Sequence, residues 1–124
     1  MVADLELLVT PADPPAGHTA IEILLGGLIV GDVDLLMCDP CRLAVVDHIR
    51  IDPRCRRRGL ATRALDAVLA TWPEHRWSTA PIDDTPEAMA FWRSLDWPGP
   101  LGRPDGCAHL GGAEPGRPGS ADWP

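Results

Sequence analysis

Four arginines and a glycine stand directly before an apolar helical pattern in the stretch DPRCRRRGLATRAL, residues 52–65. A helix that begins after a strand exposes backbone N–H groups and the positive end of its dipole, so its N-terminus binds anions. Gly59 allows a close backbone approach, Ala61 keeps that approach small, and Thr62 adds a hydroxyl. These residue types predict a site for a compact polyanion such as a pyrophosphate. The alternative is a solvated turn whose arginines pair with Asp52 and neighbouring carboxylates.

The charge of the whole chain makes this basic turn (residues 54–59) informative. The 124 residues carry 11 Lys and Arg against 18 Asp and Glu, which gives a formal net charge of -7. Such a field repels extended polyphosphate and argues against a nucleic-acid partner or an anionic membrane surface. The N-terminus lacks the pattern of a secretory signal, which is a basic stretch followed by an apolar core. The longest apolar run, ILLGGLIVG, is too short to span a membrane. We expect a soluble, cytoplasmic protein.

Hydrophobic periodicity predicts the strands that position the basic turn. Alternating and β-branched runs predict strands at residues 4–9, 19–25, 28–37, 42–52 and, shorter, 75–82. Gly26-Gly27 predicts a tight hairpin between the second strand and the third. The first four strands therefore form a meander.

The strand at residues 42–52 leads directly into the basic turn. Because side chains alternate along a strand, one face is expected to carry Val45, Asp47, Ile49 and Ile51. The opposite face is expected to carry Val46, His48 and Arg50. We interpret His48 as a hydrogen-bonded sheet histidine rather than a catalyst.

Two helices follow from the change of period. Apolar residues recur at spacings of three and four from Leu60 to the Trp-Pro pair at 72–73, which ends the helix. A second helix lies within residues 83–97, with Asp84 or Thr85 as its N-cap. Four of the five tryptophans, at positions 72, 77, 92 and 97, are expected to lie in the core.

The order of elements predicts an α/β fold. A strand, a crossover helix and a second parallel strand make a right-handed unit attached to the antiparallel meander, which gives one mixed sheet. We expect one domain over residues 1–98. Residues 99–124 are rich in Gly and Pro and predict a loose tail with at most a short ordered segment around Cys107 to Leu110.

The cysteines allow a separate hypothesis. Four cysteines in a cytoplasmic protein indicate thiols or metal ligands rather than disulfides. Cys38 and Cys41 in a hairpin turn, with Cys107 and His109 in the tail, could make a tetrahedral zinc site, because those segments meet at one end of the predicted sheet. The alternative is that these cysteines are inert thiols, and the sequence favours it. We therefore predict no metal ligand from the sequence. Cys55, inside the basic turn, is expected to pack.

Several motifs together resemble one protein family. RCRRRGLA resembles the acetyl-CoA pyrophosphate loop of the GNAT superfamily of N-acetyltransferases, Gln/Arg-x-x-Gly-x-Gly/Ala, with matches at Arg56, Gly59 and Ala61. VDHIRIDP is similar to the family's fourth strand and LATRALDAVLATW to its following helix. TPEAMAFWRSLDW resembles the later helix Asn-x-x-Ala-x-x-Phe-Tyr-x-x-x-Gly-Phe. The likeness covers roughly residues 20–98 and implies a GNAT-like mixed sheet in a small, N-terminally shortened member.

The resemblance implies an N-acetyltransferase with acetyl-CoA as co-substrate. An amine acceptor, either a small molecule or a peptide, would attack the thioester directly. The pyrophosphate would meet the backbone of the basic turn, and the pantetheine arm would pair with the fourth strand. The coenzyme-binding residues implied are Ile49, Ile51, Arg56, Arg57, Arg58, Gly59, Leu60, Ala61 and Thr62. Asp47 stands where family members often place a general base, and a structural hydrogen bond or ion pair is the alternative for it.

The chain also departs from the family pattern. It contains no tyrosine, and Trp92 stands where the family often has the tyrosine that protonates the leaving thiolate. An indole N–H is a far weaker acid, so that role is vacant or falls to Ser78, Thr79 or water. Thr85 and Asp96 replace the usual Asn and Gly.

Two family helices between the first and second strands have no room here. The intervening TPADPPAGH is too short for them, so the acceptor side is expected to be open or to be closed by a second copy in a homodimer. A non-catalytic acyl-CoA-binding or regulatory module with a degenerate active site is the alternative function. A zinc-stabilised interaction module is a third.

Overall fold

The computed structural model describes residues 4–12 and 16–110 and arranges their strands in one mixed sheet. The strands are β1 (Leu5–Thr10), β2 (Ala16–Leu25), β3 (Leu28–Cys38), β4 (Leu43–Ile51) and β5 (Arg76–Thr79). Their order is β1-β2-β3-β4-β5, and all neighbours pair antiparallel except β4 and β5, which are parallel. The predicted meander joined to a parallel unit is confirmed.

Two α-helices follow the fourth and fifth strands. α1 spans Leu60–Thr71, within the predicted bounds, and α2 spans Pro86–Ser94. Thr85 is the N-cap of α2, since its hydroxyl oxygen accepts a hydrogen bond from the Ala88 amide at 3.2 Å. None of the helices in the part of the chain that the structure describes is long and apolar enough to span a membrane.

The main core lies between the sheet and the helices. α1 contributes its buried face, Leu60, Ala61, Ala64, Leu65 and Val68, which packs in one cluster with β2, β3 and β4. The four tryptophans predicted to lie in the core belong to this cluster: Trp77 and Trp92 are buried, and Trp72 and Trp97 pack against it. Trp97 stands edge-on to Trp92, with ring centroids 5.3 Å apart. Such pairs add to the stabilisation that burial supplies.

The β2–β3 turn is the predicted Gly26-Gly27 hairpin. Both glycines have positive φ, 58° and 84°, which is the conformation that a two-residue turn of type I′ requires. Leu25 and Leu28 pair directly across it.

A bulge in β4 changes the face that its side chains occupy. Asp34 of β3 pairs with His48 and Leu35 pairs with Val46, so that Asp47 is an extra residue in the register. An extra residue reverses the alternation beyond it. The predicted shared face of Val45, Asp47, Ile49 and Ile51 is therefore wrong: Ile49 and Ile51 share the helix-covered face with Val46, whereas Val45 packs on the opposite face.

Residues 99–110 (the 99–110 segment) lie along β5 and then cross to the face of the sheet opposite α1. Thr79 accepts a hydrogen bond from the Gly102 amide at 2.7 Å, and Ser78 accepts one from the Asp105 amide at 2.9 Å. A 3₁₀ helix at Ala108–Leu110 matches the predicted short ordered segment. Leu110 is buried there in a second cluster with Leu36, Cys38, Leu43 and Val45. The predicted tail beyond residue 110 lies outside the described residues, and the domain boundary at residue 98 stays a prediction.

The close approach of Gly99 to β5 predicts a sharp difference between two glycines of this segment. A Cβ at Gly99 would overlap the Trp77 carbonyl oxygen, whereas a Cβ at Gly106 would meet no atom within 4 Å. We expect Gly99→Ala to lower the free energy of unfolding by about 1–3 kcal/mol, the usual cost of overpacking. Gly106→Ala is the matched control and should change it by less than about 0.5 kcal/mol. Urea denaturation followed by tryptophan fluorescence measures both, and equal stability of the two variants would contradict the packing.

Candidate active site

Arg54 of the basic turn is paired with a neighbouring carboxylate. The side-chain oxygen of Asp52 accepts a hydrogen bond from the Arg54 amide at 2.9 Å and begins the 3₁₀ helix Pro53–Cys55. The Arg54 guanidinium also contacts this carboxylate, with Nη2 3.2 Å from Oδ2. These hydrogen bonds from Arg54 lower the pKa of Asp52. The interpretation of a locally paired surface turn thus holds for Arg54.

The turn then brings backbone amides together at the start of α1. Arg57 and Gly59 both have left-handed backbones, with φ of 64° and 72°. Gly59 is the N-cap of α1 and has no side chain to cap it, and the first helical bond runs from the Arg63 amide to the Gly59 carbonyl. The amides of residues 60–62 therefore precede the hydrogen-bonded part of the helix. Such an end carries partial positive charge and is able to bind an anion.

A cavity of about 570 Å³ lies against this helix end. It collects seven of the predicted coenzyme-binding residues, namely Ile51, Arg56, Arg57, Gly59, Leu60, Ala61 and Thr62. Arg58 and Ile49 do not line it. The Nε of Arg56 donates to the Ile51 carbonyl at 3.2 Å, which joins the turn to the end of β4.

The second wall of the cavity comes from residues that the sequence did not single out as ligands. They are Asp83, Thr85, Glu87, Ala88, Ala90 and Phe91, at the start of α2, together with Cys55 of the turn. The order of strands and helices could have indicated that the start of α2 lies beside the basic turn. Because α1 and α2 follow parallel neighbouring strands, their N-termini lie at the same edge of the sheet, where ligands bind in open α/β sheets.

β4 has an open edge next to this cavity. The pairing of β5 with β4 ends at Val46 and Thr79, followed by a hydrogen bond from the Ala80 amide to the Val46 carbonyl at 2.9 Å. Further along β4, the Asp52 amide donates to the Val30 carbonyl on the β3 side. Because hydrogen-bonded and non-hydrogen-bonded positions alternate in an antiparallel pair, the backbones of Ile49 and Ile51 face the edge that β5 has left.

Asp47 lies at the bulge where this edge begins. Its carboxylate is on the face opposite α1 and within 4.8 Å of the polar side-chain atoms of His18 and Asp34. The residue is 6% exposed. His18 Nδ1 is 3.3 Å from Asp34 Oδ1, while burial raises the pKa of Asp34. The predicted base is thus near two other ionisable groups, but not on the face that alternation had assigned to it.

The candidate proton donors have structural contacts. Ser78 and Thr79 are fully buried, and their hydroxyl oxygens accept the amide hydrogen bonds that hold the 99–110 segment. Trp92 is also fully buried and stands edge-on to Phe91, with ring centroids 5.4 Å apart. None of these three residues lines the cavity at the basic turn.

The left-handed backbone of Arg57 predicts an unusual effect of glycine. A non-glycine residue in this conformation costs about 1–2 kcal/mol, whereas glycine carries an entropic cost of roughly 0.5–1 kcal/mol. We expect Arg57→Gly to leave stability unchanged or raise it by about 0.5 kcal/mol. Arg58→Gly, at a neighbouring position without positive φ, should lower stability by about 0.5–1 kcal/mol. Thermal and urea unfolding of the two variants test this order, and a greater loss with Arg57→Gly would refute the assigned backbone.

Comparisons with known proteins agree with this geometry. The family model described as "Acetyltransferase (GNAT) family" matches residues 4–97, so the match begins earlier than the sequence motifs indicate. An acetyltransferase from Thermus thermophilus has a TM-score of 0.57 and 26% identity over 66% of this chain and 53% of its own. A tandem GNAT protein from the clavulanic acid biosynthesis pathway, solved without AcCoA, has a TM-score of 0.52 and 24% identity over 68% of this chain and 29% of its own.

The matches cover only part of each solved structure. The chain spans about half the length of the Thermus acetyltransferase, and no curated protein matches it. The family match nevertheless extends over most of the sequence and includes the whole sheet and both α-helices. The chain belongs to the GNAT acetyltransferase family.

Proposed function

We propose that the protein binds acetyl-CoA and transfers its acetyl group to an amine acceptor. The observation that carries this proposal is the open edge of β4, which runs from the basic turn to Asp47. Anion-binding groups lie at one end of this edge, and a buried carboxylate lies at the other. A long coenzyme with phosphates at one end and a reactive thioester at the other suits such an arrangement.

The pyrophosphate is assigned to the basic turn and the start of α1. The amides of residues 60–62 would donate to phosphate oxygens, and the helix dipole favours the negative charge there. Arg57 lines the cavity and is exposed, so its guanidinium can add a charge-assisted hydrogen bond. Arg58 would contribute only longer-range attraction, because it does not line the cavity.

The pantetheine arm is assigned to the β4 edge. Its amide groups would pair with the backbones of Ile49 and Ile51, as an added strand pairs with a sheet edge. At Ile51 the arm would share the carbonyl oxygen with Arg56, whose Nε donates to it at 3.2 Å. At about 3.3 Å per residue, the edge from Ile51 to Asp47 spans roughly 13 Å. The arm would thereby bring the thioester to the bulge.

Asp47 is assigned as the general base. The acceptor nitrogen would attack the thioester carbonyl carbon, its proton would pass to the Asp47 carboxylate, and the C–S bond would break to release CoA thiolate. Water is left to protonate the thiolate, because Ser78 and Thr79 are fully buried and do not line the cavity. Asp34 beside Asp47, in a chain of net charge -7, favours a cationic acceptor such as a small amine or a peptide amino group.

The surroundings of the acceptor site suggest an open or shared pocket. β1 and β2 are joined through residues 11–15, which make too short a connection for the two family helices. A second copy in a homodimer would be able to cover the face near Asp47. We place the reaction in the cytoplasm, where the four free thiols would stay reduced.

The lack of an acid for the leaving thiolate favours a second candidate function, which is binding without catalysis. With no tyrosine in the sequence and Trp92 in the core, the leaving thiolate has no obvious acid. A non-catalytic acyl-CoA-binding or regulatory module would need none. Such a module binds acetyl-CoA but releases no thiol, whichever amine is present.

Coenzyme binding tests the pyrophosphate assignment. We expect Arg57→Gln to weaken acetyl-CoA binding about tenfold, since a hydrogen bond to a charged group contributes about 1.5–3 kcal/mol. Arg103→Gln removes the same charge from an exposed site that does not line the cavity and should change affinity less than about twofold. Calorimetric titration with acetyl-CoA measures both. Acetyl-pantetheine, which lacks the pyrophosphate, should bind weakly and equally to all three proteins, and an Arg57→Gln affinity equal to that of the parent would remove the assignment.

Turnover tests Asp47. A panel of a polyamine, an arylamine, an aminoglycoside and a peptide with a free N-terminus is screened by thiol release from acetyl-CoA. With an active acceptor, Asp47→Asn should lower kcat about 10²–10⁴-fold, the usual contribution of a general base, and leave acetyl-CoA binding unchanged. Asp66→Asn, on the exposed side of α1, is the control and should keep full activity. Full activity of Asp47→Asn would return Asp47 to a structural role, and binding without thiol release by the parent would favour the non-catalytic module.

A further inference from the structure

We propose that the protein binds one structural Zn²⁺ ion at the end of the sheet remote from the basic turn. Its ligands would be Cys38, Cys41, Cys107 and His109. The family resemblance does not call for such a site, and the proposed acetyl transfer does not use it. The argument comes from the geometry of these four side chains and from the way the chain brings them together.

The four side chains converge on one point. One ligand atom from each, the three Sγ atoms and a ring nitrogen of His109, lies within 4.8 Å of all the others. His109 Nδ1 is 3.3 Å from Cys41 Sγ and 3.9 Å from Cys107 Sγ. Tetrahedral zinc with Zn–S bonds of about 2.3 Å places its sulfurs about 3.8 Å apart. The cluster is therefore close to the size of a zinc site, and all three cysteines are free thiols.

The first pair of ligands lies on the turn between β3 and β4. Cys38 is the last residue of β3 and is buried, and Cys41 follows across a turn closed by a hydrogen bond from the Arg42 amide to the Asp39 carbonyl at 3.2 Å. Arg42 has a left-handed backbone, with φ of 55°. Its side chain contacts Glu74 at 3.2 Å, and its carbonyl accepts from the Arg76 amide at 2.7 Å. These contacts fix the turn that presents both sulfurs.

The second pair comes from the 99–110 segment. Cys107 and His109 flank one residue, and the Leu110 amide donates to the Cys107 carbonyl at 3.1 Å. Leu110 is 5% exposed and packs on Cys38, Leu43 and Val45. The burial of Leu110 thus holds Cys107 and His109 next to the β3–β4 turn. Cys41 and His109 are 68 residues apart in the sequence.

The donor set selects the metal. Three thiolates and one imidazole are soft or borderline ligands that suit Zn²⁺, whereas Mg²⁺ and Ca²⁺ require oxygen. Four protein ligands leave no open position for a substrate, which is the arrangement of a structural site. Zinc would bind the 99–110 segment to the β3–β4 turn and hold Gly102 and Asp105 against β5.

Metal content is the first test. Protein purified without chelator, and again after incubation with ZnCl₂ and desalting, should contain one zinc per chain by plasma mass spectrometry. His109→Ala should lose that zinc, whereas His109→Cys should retain it, because a fourth thiolate also completes a tetrahedral site. Cys55→Ser is the matched control and should keep one zinc, since Cys55 lies in the basic turn. Zinc below one tenth of an equivalent in the parent after incubation, or a full equivalent in His109→Ala, would overturn the proposal.

Thermal unfolding separates loss of metal from loss of packing. His109 is exposed, so without a metal its replacement by Ala should leave Tm unchanged. With zinc, EDTA should lower the Tm of the parent by roughly 10 °C and leave the already low Tm of His109→Ala unaffected. Replacement by Co²⁺ should give the visible absorption of tetrahedral thiolate coordination in the parent and in His109→Cys. An EDTA-insensitive Tm in the parent, or a disulfide within the cluster under reducing purification, would refute the site.

Discussion

The parallel pairing of β4 with β5 ends at Val46, one residue before the bulge at Asp47, and much of the candidate site depends on this point. The extra residue shifts the alternation of β4, so the backbones of Ile49 and Ile51 face an edge from which β5 is absent. The same shift puts the side chains of Ile49 and Ile51 on the face covered by α1, while the Asp47 carboxylate lies on the opposite face. The short β5 leaves the edge open, and the bulge sets which backbone groups face it. Because Asp47, Ile49 and Ile51 all lie on β4, their spacing along the edge is fixed by the covalent chain.

The two ends of this edge carry opposite charge, although the chain as a whole is acidic. The basic turn and the N-terminus of α1 lie at one end, while Asp34 and Asp47 lie near the other. Their separation of roughly 13 Å along the strand exceeds the screening length of about 8 Å at physiological ionic strength. The two ends can therefore present potentials of opposite sign, although the chain as a whole carries -7. In the proposed reaction, the anionic end of the coenzyme and a cationic acceptor would therefore be attracted to different ends of this edge.

Local interactions explain what was predictable from the sequence. The hairpin at Gly26-Gly27, the N-cap of α2 and the end of α1 before Trp72 depend on residues close together in the chain. The hairpin and the helix end were predicted, and the N-cap was narrowed to Asp84 or Thr85, of which Thr85 caps the helix. The face of Asp47 was not, because the bulge depends on the register between β3 and β4, which no local period reveals. The contributions of Asp83 and Phe91 to the cavity were missed for a related reason, since they reach it through the crossover between β5 and α2.

Long-range polar contacts were also beyond sequence reasoning. Ser78 and Thr79 suggested acid catalysis by their position on β5, yet each accepts an amide hydrogen bond from a residue 27 or 23 positions further along. These bonds hold the 99–110 segment against β5, the four-residue edge strand of the sheet. The covering segment has little apolar surface of its own: Leu110 is the residue of the 99–110 segment that is buried. Ordering an irregular segment is entropically costly, so a cross-link at its end stabilises β5 as well. A metal at Cys107 and His109 would thus act on the strand whose termination at Val46 opens the coenzyme edge.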